Sequence, residues 1–349
     1  MGSPVRWRFR YNAHMSLQNT SGFLPVATAI VGNLLVTISK FIASFASGSS
    51  VMFSEAIHSA ADTLNQVLLL IGLRRSLKKA DDTFEYGYGN ERFFWALISA
   101  CGIFFLGAGF TAYHGLLALA HPEHIEFNWI IVAALVFSGV VESYTFYIAA
   151  RQLKKSFPHM NLRERLKAAD STTLAVYMED AIAIFGVLVA ILAVTLTYFT
   201  ENALWDALGS IIIAGLLGGT AIVLIIKNRG YLLGQSMPQE MQDAVVEFLN
   251  ADPAIERVTD LKSVVVGWDA YRIMCEVEFN GDSLARSAYG GTRMRDQFNE
   301  VHEDFESFKR FAAEYADRIP RLMGRKIDEI EKKIKTVFPS IRHIDIEIN

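Results

Sequence analysis

The chain has 349 residues, of which 52% are hydrophobic and 20% are charged, and its formal net charge is −4. Apolar runs recur over roughly the first two-thirds of the sequence, which excludes an ordinary water-soluble globular protein and indicates a polytopic membrane protein. The net charge says little about partners because it averages two unlike halves. The two cysteines, Cys101 and Cys275, provide neither a disulfide framework nor a CxxC metal site.

The N-terminal residues 1–22 are interpreted as a cytosolic segment, and the sequence leaves open whether residues 1–14 are native. A signal peptide is not expected, because the first apolar run begins at Phe23 after a basic stretch and continues to full membrane length. A membrane-spanning helix needs about 20 mostly apolar residues. Six segments of a transmembrane domain predicted over residues 23–228 qualify: Phe23–Phe45, Met52–Leu73, Phe93–Ala120, Trp129–Ala150, Leu174–Phe199 and Ala207–Ile226.

Positive charges are concentrated on alternate sides of these six spans. Lysines and arginines follow spans two, four and six, whereas the other three connections contain none. Because positively charged loops remain in the cytosol, both termini and residues 236–349 are expected there. The expected location is a bacterial-type inner (plasma) membrane.

Span two carries His58 and Asp62, four residues apart. A helix repeats every 3.6 residues, so this spacing places the imidazole and the carboxylate on one face, as two adjacent ligands for a divalent metal. Ionisable residues at membrane depth are costly and indicate function. A lone membrane histidine is often a packing residue, but the carboxylate one turn away favours metal binding.

Span five carries a second acidic pair, Glu179 and Asp180. At 1.5 Å per residue, Asp62 lies about 16 Å and Asp180 about 18 Å from the cytosolic surface, so two antiparallel helices could share one ion. Adjacent residues point about 100° apart, so one of the pair is expected to ligate and the other to support. Asp180 fits the shared depth slightly better, and the choice stays open.

Other polar residues in the spans are interpreted as lying outside the metal shell. Asn65 is expected to form a hydrogen bond between helices rather than to bind metal. Lys40 in span one and Glu142 in span four could each be an interior charge near the pathway, and Lys40 could instead snorkel or pair.

Residues 236–349 predict a small cytosolic α+β domain with the order helix, two strands, helix, strand. A charged helical insertion at about 280–314 is interpreted as a solvated surface extension, in preference to a partner-binding surface. The predicted elements are Gln239–Asn250, Arg257–Val266, Tyr271–Phe279, a helical stretch Met294–Val337 broken near Pro320, and Ile341–Ile348.

Two histidines of this domain, His302 and His343, have acidic neighbours in the sequence. Either could bind a cytosolic metal. Exposed acids around a single histidine are more often a solvated face, which is the interpretation favoured for both.

Four segments resemble the cation diffusion facilitators, dimeric proteins that export Zn²⁺ or similar metals. Ser54–Gln66 resembles their HxxxD signature, Tyr86–Arg92 their YGxG-type loop and Trp205–Ser210 the start of their sixth span. Leu174–Gly186 is similar to the branch that includes the mitochondrial zinc transporter of animals. The resemblance covers about residues 20–280 and the C-terminal strand, and implies six transmembrane helices, a ferredoxin-like cytosolic domain and a homodimer.

The sequence departs from the family pattern at two places. Most members have His or Asp four residues before the span-five Asp, where this chain has Val176. The fourth ligand is therefore left open between Glu179, water and a site of three protein ligands. Phe84 and Tyr88 stand where many relatives have histidines of an auxiliary zinc site, so that site is expected to be missing.

The resulting hypothesis is a secondary active transporter that exports divalent metal, Zn²⁺ first, from the cytosol in exchange for protons. The metal is its substrate, with no separate cofactor and no nucleic acid as partner. Alternatives are an exporter for Mn²⁺, Fe²⁺ or Co²⁺, a channel, and a metal-binding scaffold without transport, which Val176 keeps open. An intramembrane metalloenzyme is disfavoured because the sequence has no HExxH-like pair.

Overall fold

The structure is a computed structural model that describes residues 23–121, 129–156, 158, 160–168, 171–288, 294–302 and 304–349. The chain forms two compact units, Met1–Leu233 and Gly234–Asn349.

The first unit is helical, and its long helices match the predicted spans in order. Within the described residues, five helical stretches are long and apolar enough to cross a membrane. The helix α1, with 25 residues, covers the first predicted span. The helices of this unit are α1 Phe23–Ser47, α2 Ser50–Ser76, α3 Glu91–Gly102, α4 Phe110–Ala120, α5 Trp129–Ser156, α6 Leu162–Ala168, α7 Ser171–Thr200 and α8 Leu204–Leu232.

The third span is not a uniform α-helix. A π-helical segment, Ile103–Gly109, joins α3 to α4, so that the whole span runs from Glu91 to Ala120. Such segments are rare and frequently occur at functional sites. Here the backbone at Gly107 approaches Ala61 of α2, since a Cβ atom at Gly107 would lie 3.7 Å from that of Ala61. The irregular turn therefore lies beside the residue that precedes Asp62.

The N-terminus of α2 is held by a side chain from α8. Ser49 is the N-cap and accepts a hydrogen bond from the amide of Met52. Asp206 of α8 accepts one bond from the Ser49 hydroxyl at 2.5 Å and another from the amide of Val51 at 3.1 Å. The first amides of a helix lack intrahelical partners, and these two side chains supply them. The start of α2 is thereby fixed to α8.

The second unit has the predicted order of elements. The strands form a three-stranded sheet in the order β1-β2-β3, with β1 and β2 antiparallel and β2 and β3 parallel. A parallel pair needs a crossover connection, which α12 provides. The elements are α9 Gln239–Asn250, β1 Ile255–Gly267, β2 Ala270–Phe279, α10 Gly281–Ala288, α11 Met294–Val301, α12 Phe305–Val337 and β3 Ile341–Ile348.

One face of this sheet forms the core with the two helices that flank it. Val245 and Leu249 of α9 and Ile330 and Ile334 of α12 are buried against strand residues such as Ile273. The apolar spacing of α9 predicts the burial of Val245 and Leu249, and the alternation of β2 predicts that of Ile273. A sheet with two helices on one face fits the ferredoxin-like domain that the family resemblance implies.

The break predicted near Pro320 in the helical stretch Met294–Val337 was wrong. The helix α12 continues through Pro320, and the interruption falls between α11 and α12, before residue 305. Asp304 caps the new helix by accepting hydrogen bonds from the amides of Glu306 and Ser307. A strong N-cap starts a helix efficiently, whereas one internal proline costs about 3 kcal/mol, which the surrounding helix can offset.

The predicted insertion at about 280–314 contains two short helices and the start of α12. The helices α10 and α11 both precede α12, while residues 289–293 lie outside the described residues. Its role as a solvated extension stays a prediction.

Candidate metal site in the transmembrane unit

His58 and Asp62 lie together on one face of α2, as their spacing predicts. His58 Nε2 is 3.4 Å from Asp62 Oδ2, and the exposed fractions of the two side chains are 1% and 14%. Both ring nitrogens of His58 and Oδ1 of Asp62 are buried without a hydrogen-bond partner among the described residues. Buried polar atoms normally have partners. A neutral imidazole has one ring nitrogen with a free lone pair, and this nitrogen and the carboxylate oxygen are donor types that could bind a divalent cation.

The two acids of α7 point to different surroundings. Glu179 is buried and accepts a hydrogen bond from the Asn65 amide of α2 at 2.5 Å. The Ser99 hydroxyl of α3 donates in turn to Asn65 Oδ1. In contrast, Oδ2 of Asp180 is buried with no hydrogen-bond partner in the described part of the chain. The prediction that Asn65 bridges helices is confirmed, and one carboxylate oxygen of Asp180 has no partner among the described residues.

The acids of α2 and α7 come close to each other, as their predicted depths require. Asp62 interacts electrostatically with Glu179, with Asp180 and with Glu142 of α5. Among the residues that the structure describes, no three His, Cys, Asp or Glu side chains are close enough to share one ion as they stand. The geometry is therefore a His58–Asp62 pair with the carboxylates of Glu179 and Asp180 near it.

A buried ion cluster lies next to this pair. Lys40 of α1 donates to Glu55 Oε2 of α2 at 2.8 Å and to Glu142 Oε1 of α5 at 2.7 Å, and Lys40 and Glu55 are fully buried. A Cβ atom at Gly186 of α7 would collide with the Glu55 carboxylate. The carboxylate therefore packs directly against the α7 backbone. Lys40 therefore forms buried ion pairs with Glu55 and Glu142 and does not extend its ammonium group to the membrane surface.

Sequence reasoning singled out Lys40 and Glu142 but missed Glu55. A signal was present in the spacing, because Glu55 precedes His58 by three residues and shares its helix face. The periodicity that identified the His58–Asp62 pair extends to Glu55.

The loop between α2 and α3 contains a polar and aromatic cluster. It includes Phe84 and Tyr88, which stand where many relatives have the histidines of an auxiliary zinc site. The rings of Phe84 and Tyr88 lie 4.7 Å apart, and the Tyr88 hydroxyl donates to Asp81 at 2.7 Å. Lys78 donates to the same carboxylate at 2.8 Å. These bonds hold the pKa of Asp81 below its usual range.

The two cytosolic histidines lie in different surroundings. His302 Nδ1 is 3.0 Å from the carbonyl oxygen of Asn299 on an exposed helix end. His343 lies on β3 near Asp345, which pairs with Arg272 at 2.8 Å. Partial burial and the nearby charges of Lys335 and Arg272 lower the pKa of His343. The favoured interpretation of both as non-ligands stays a prediction.

Comparison of the sequence with known proteins identifies a family for the transmembrane unit. Residues 26–233 match the cation efflux transmembrane domain. The chain is 35% identical over 350 residues to the mitochondrial proton-coupled zinc antiporter of Xenopus laevis, covering 97% of this chain and 63% of that protein. The human protein of the same name is 34% identical over 328 residues, covering 93% of this chain and 58% of its own length.

A plant relative is similar to the same extent. Metal tolerance protein C4 of Arabidopsis thaliana is 34% identical over 335 residues, which is 92% of this chain and 72% of that protein. The chain spans about three-fifths of the length of the two animal relatives above.

Proposed function

Because the chain belongs to the cation efflux family, the cation diffusion facilitators, we propose that it is a secondary active transporter that exports Zn²⁺ in exchange for protons. His58, Asp62 and Asp180 form the binding site. The observation that carries this proposal is the set of buried, unpartnered donor atoms on these three side chains. One imidazole and two carboxylates suit Zn²⁺.

Glu179 takes a supporting position in this proposal. Its carboxylate accepts a hydrogen bond from Asn65, and a supporting acid of this kind orients the residues that bind metal. The fourth ligand is then water or a Glu179 carboxylate released from Asn65. The side chain at Val176, the family's usual fourth position, is apolar.

Proton exchange follows from the chemistry of the ligands. Metal binds to a neutral imidazole and to ionised carboxylates, so its arrival releases protons from these groups. Protons that reach the same groups from the opposite side of the membrane displace the metal. Inward proton movement at a favourable membrane potential is worth about 2.3 kcal/mol per charge per 100 mV, which can drive export.

We further propose that both termini and the second unit face the cytosol of a bacterial-type inner membrane, and that the transporter is a homodimer. The distribution of lysines and arginines supports the orientation. The animal relatives are named as mitochondrial proteins. In either location the chain is an integral membrane protein.

Transport in proteoliposomes tests the proposal. We would reconstitute the full chain with a pH-sensitive dye inside, impose a proton gradient and add Zn²⁺ outside. We expect a proton flux coupled to Zn²⁺ movement in the wild type, and its loss in Asp62→Asn and Asp180→Asn. Asp82→Asn, in an exposed loop position, is the matched control and should transport normally.

Either of two results would contradict the proposal. A wild type without Zn²⁺-dependent proton flux would contradict transport and favour a metal-binding scaffold. A flux that survives both substitutions would place the pathway elsewhere in the protein.

A further inference from the structure

The buried cluster of Lys40, Glu55 and Glu142 contains two carboxylates but only one ammonium group. The ammonium group binds one oxygen of each carboxylate, at 2.8 and 2.7 Å. The other oxygens, Glu55 Oε1 and Glu142 Oε2, are buried without a hydrogen-bond partner among the described residues. The cluster therefore contains two carboxylates, each with a spare oxygen, held by one cation.

Both carboxylates lie beside the proposed Zn²⁺ site. Glu55 is one turn before His58 on the same face of α2. The charge of Glu142 acts on Asp62 and on Asp180, and the charge of Lys40 acts on His58. The two glutamates thus add buried carboxylates from α2 and α5 to the surroundings of the proposed site.

Additional oxygen donors would change which metals the site prefers. Zn²⁺ suits a small shell of about four ligands that includes imidazole, whereas Mn²⁺ and Mg²⁺ suit larger shells of carboxylate and water oxygens. Two more carboxylates would convert a shell with one nitrogen and two carboxylates into one dominated by oxygen. A resident ammonium group prevents this, because it occupies both carboxylates and repels a metal that approaches them.

We propose that Lys40 determines metal specificity by keeping Glu55 and Glu142 out of the metal shell. Lys40 is then a positioning residue that favours Zn²⁺ over harder divalent cations without touching the metal. This inference rests on the proposed function, since it takes His58, Asp62 and Asp180 as the ligands.

Metal binding to the purified full chain in detergent tests the inference. We would titrate wild type and Lys40→Met with Zn²⁺ alone and with Mn²⁺ alone by calorimetry. We expect the ratio of the Mn²⁺ Kd to the Zn²⁺ Kd to fall at least tenfold in Lys40→Met. Lys79→Met, which removes an exposed lysine from the loop after α2, should keep the wild-type ratio.

A triple variant separates the carboxylates from the lysine itself. Lys40→Met combined with Glu55→Gln and Glu142→Gln removes both the cation and the acids that it holds. We expect its ratio to return to within about threefold of the wild type. A shift that persists in the triple variant, or a ratio unchanged in a folded Lys40→Met, would overturn the inference.

Removing Lys40 alone leaves two buried carboxylates unpaired and could prevent folding. Two double variants avoid this, because Lys40→Met with Glu55→Gln and Lys40→Met with Glu142→Gln each keep the cluster's net charge of −1. A lowered ratio in either supports the inference, and an unchanged ratio in both overturns it.

The same titrations separate this inference from the proposed function. Wild-type Zn²⁺ binding that Asp62→Asn abolishes, together with an unchanged ratio in the Lys40 variants, would refute the role of Lys40 alone. A wild type that binds neither metal would refute the proposed site, and the specificity role with it.

Discussion

The Asn65 side-chain amide donates to Glu179 Oε1 at 2.5 Å, which fixes one member of the acidic pair on α7 to α2. The Ser99 hydroxyl donates to the same asparagine, so α3 takes part in the link. The neighbouring Asp180 keeps a buried, unpartnered carboxylate oxygen. Two adjacent acids thus have different surroundings, and this difference separates their proposed roles.

Asp180→Asn and Glu179→Gln should therefore have unequal effects on metal binding. Loss of a ligand carboxylate should weaken Zn²⁺ binding about a hundredfold or more, whereas loss of a supporting group costs about 10–100-fold. Zn²⁺ titration of both variants beside the wild type measures the two effects. A Glu179→Gln variant that binds more weakly than Asp180→Asn would reverse the assignment.

Asp206 should stabilise the transmembrane unit through the start of α2. Asp206→Ala removes the acceptor for the Ser49 hydroxyl and the Val51 amide, and lost caps typically cost about 1–2 kcal/mol. We expect the Tm in detergent to fall by roughly 2–8 °C.

The control for this experiment is Asp317→Ala, which breaks the exposed ion pair between Asp317 and Arg321 on α12. Exposed pairs contribute at most about 1 kcal/mol, so its Tm should change little. Equal Tm values for both variants would show that the contact between Asp206 and α2 does not stabilise the fold.

Cys275 should be chemically inert in the folded protein. Burial in the sheet, together with nearby acids such as Glu331, raises the pKa of its thiol to about 12. Since the thiolate is the reactive form, alkylation by iodoacetamide at pH 8 should be at least about a hundredfold slower than in the unfolded chain. Peptide mass spectrometry of Cys275 with and without denaturant measures this ratio, and equal rates would show that the core opens readily.

His343 should titrate below the usual histidine range of about 6.5. Burial, Lys335 and Arg272 lower its pKa, and Asp345 opposes them only partly. The folded state then binds fewer protons at this site than the unfolded state, so its contribution to stability is present above pH 6.5 and is lost as the pH falls through the folded-state pKa. NMR titration of ring-labelled histidines, assigned by His343→Gln, measures the value.

A measured pKa of 6.5 or above for His343 would contradict this prediction. Retention of a low pKa in Lys335→Met would assign the shift mainly to burial.

The match to the cation efflux transmembrane domain confirms the family resemblance carried by segments such as Ser54–Gln66. Local pattern was sufficient for this, because the fixed spacing of side chains along a helix can be read directly from the sequence. The same argument explains why the strands of the second unit were placed to within two residues, since alternation along a strand is also local.

The sequence by itself therefore determined the apolar spans, the His58–Asp62 pair and the α+β order of the second unit. Only the tertiary structure decided the partners of side chains on different helices. Lys40 meets Glu142 across 102 residues, and Asn65 meets Glu179 across 114. Such pairings depend on how the helices rotate and pack against each other, which no local periodicity specifies.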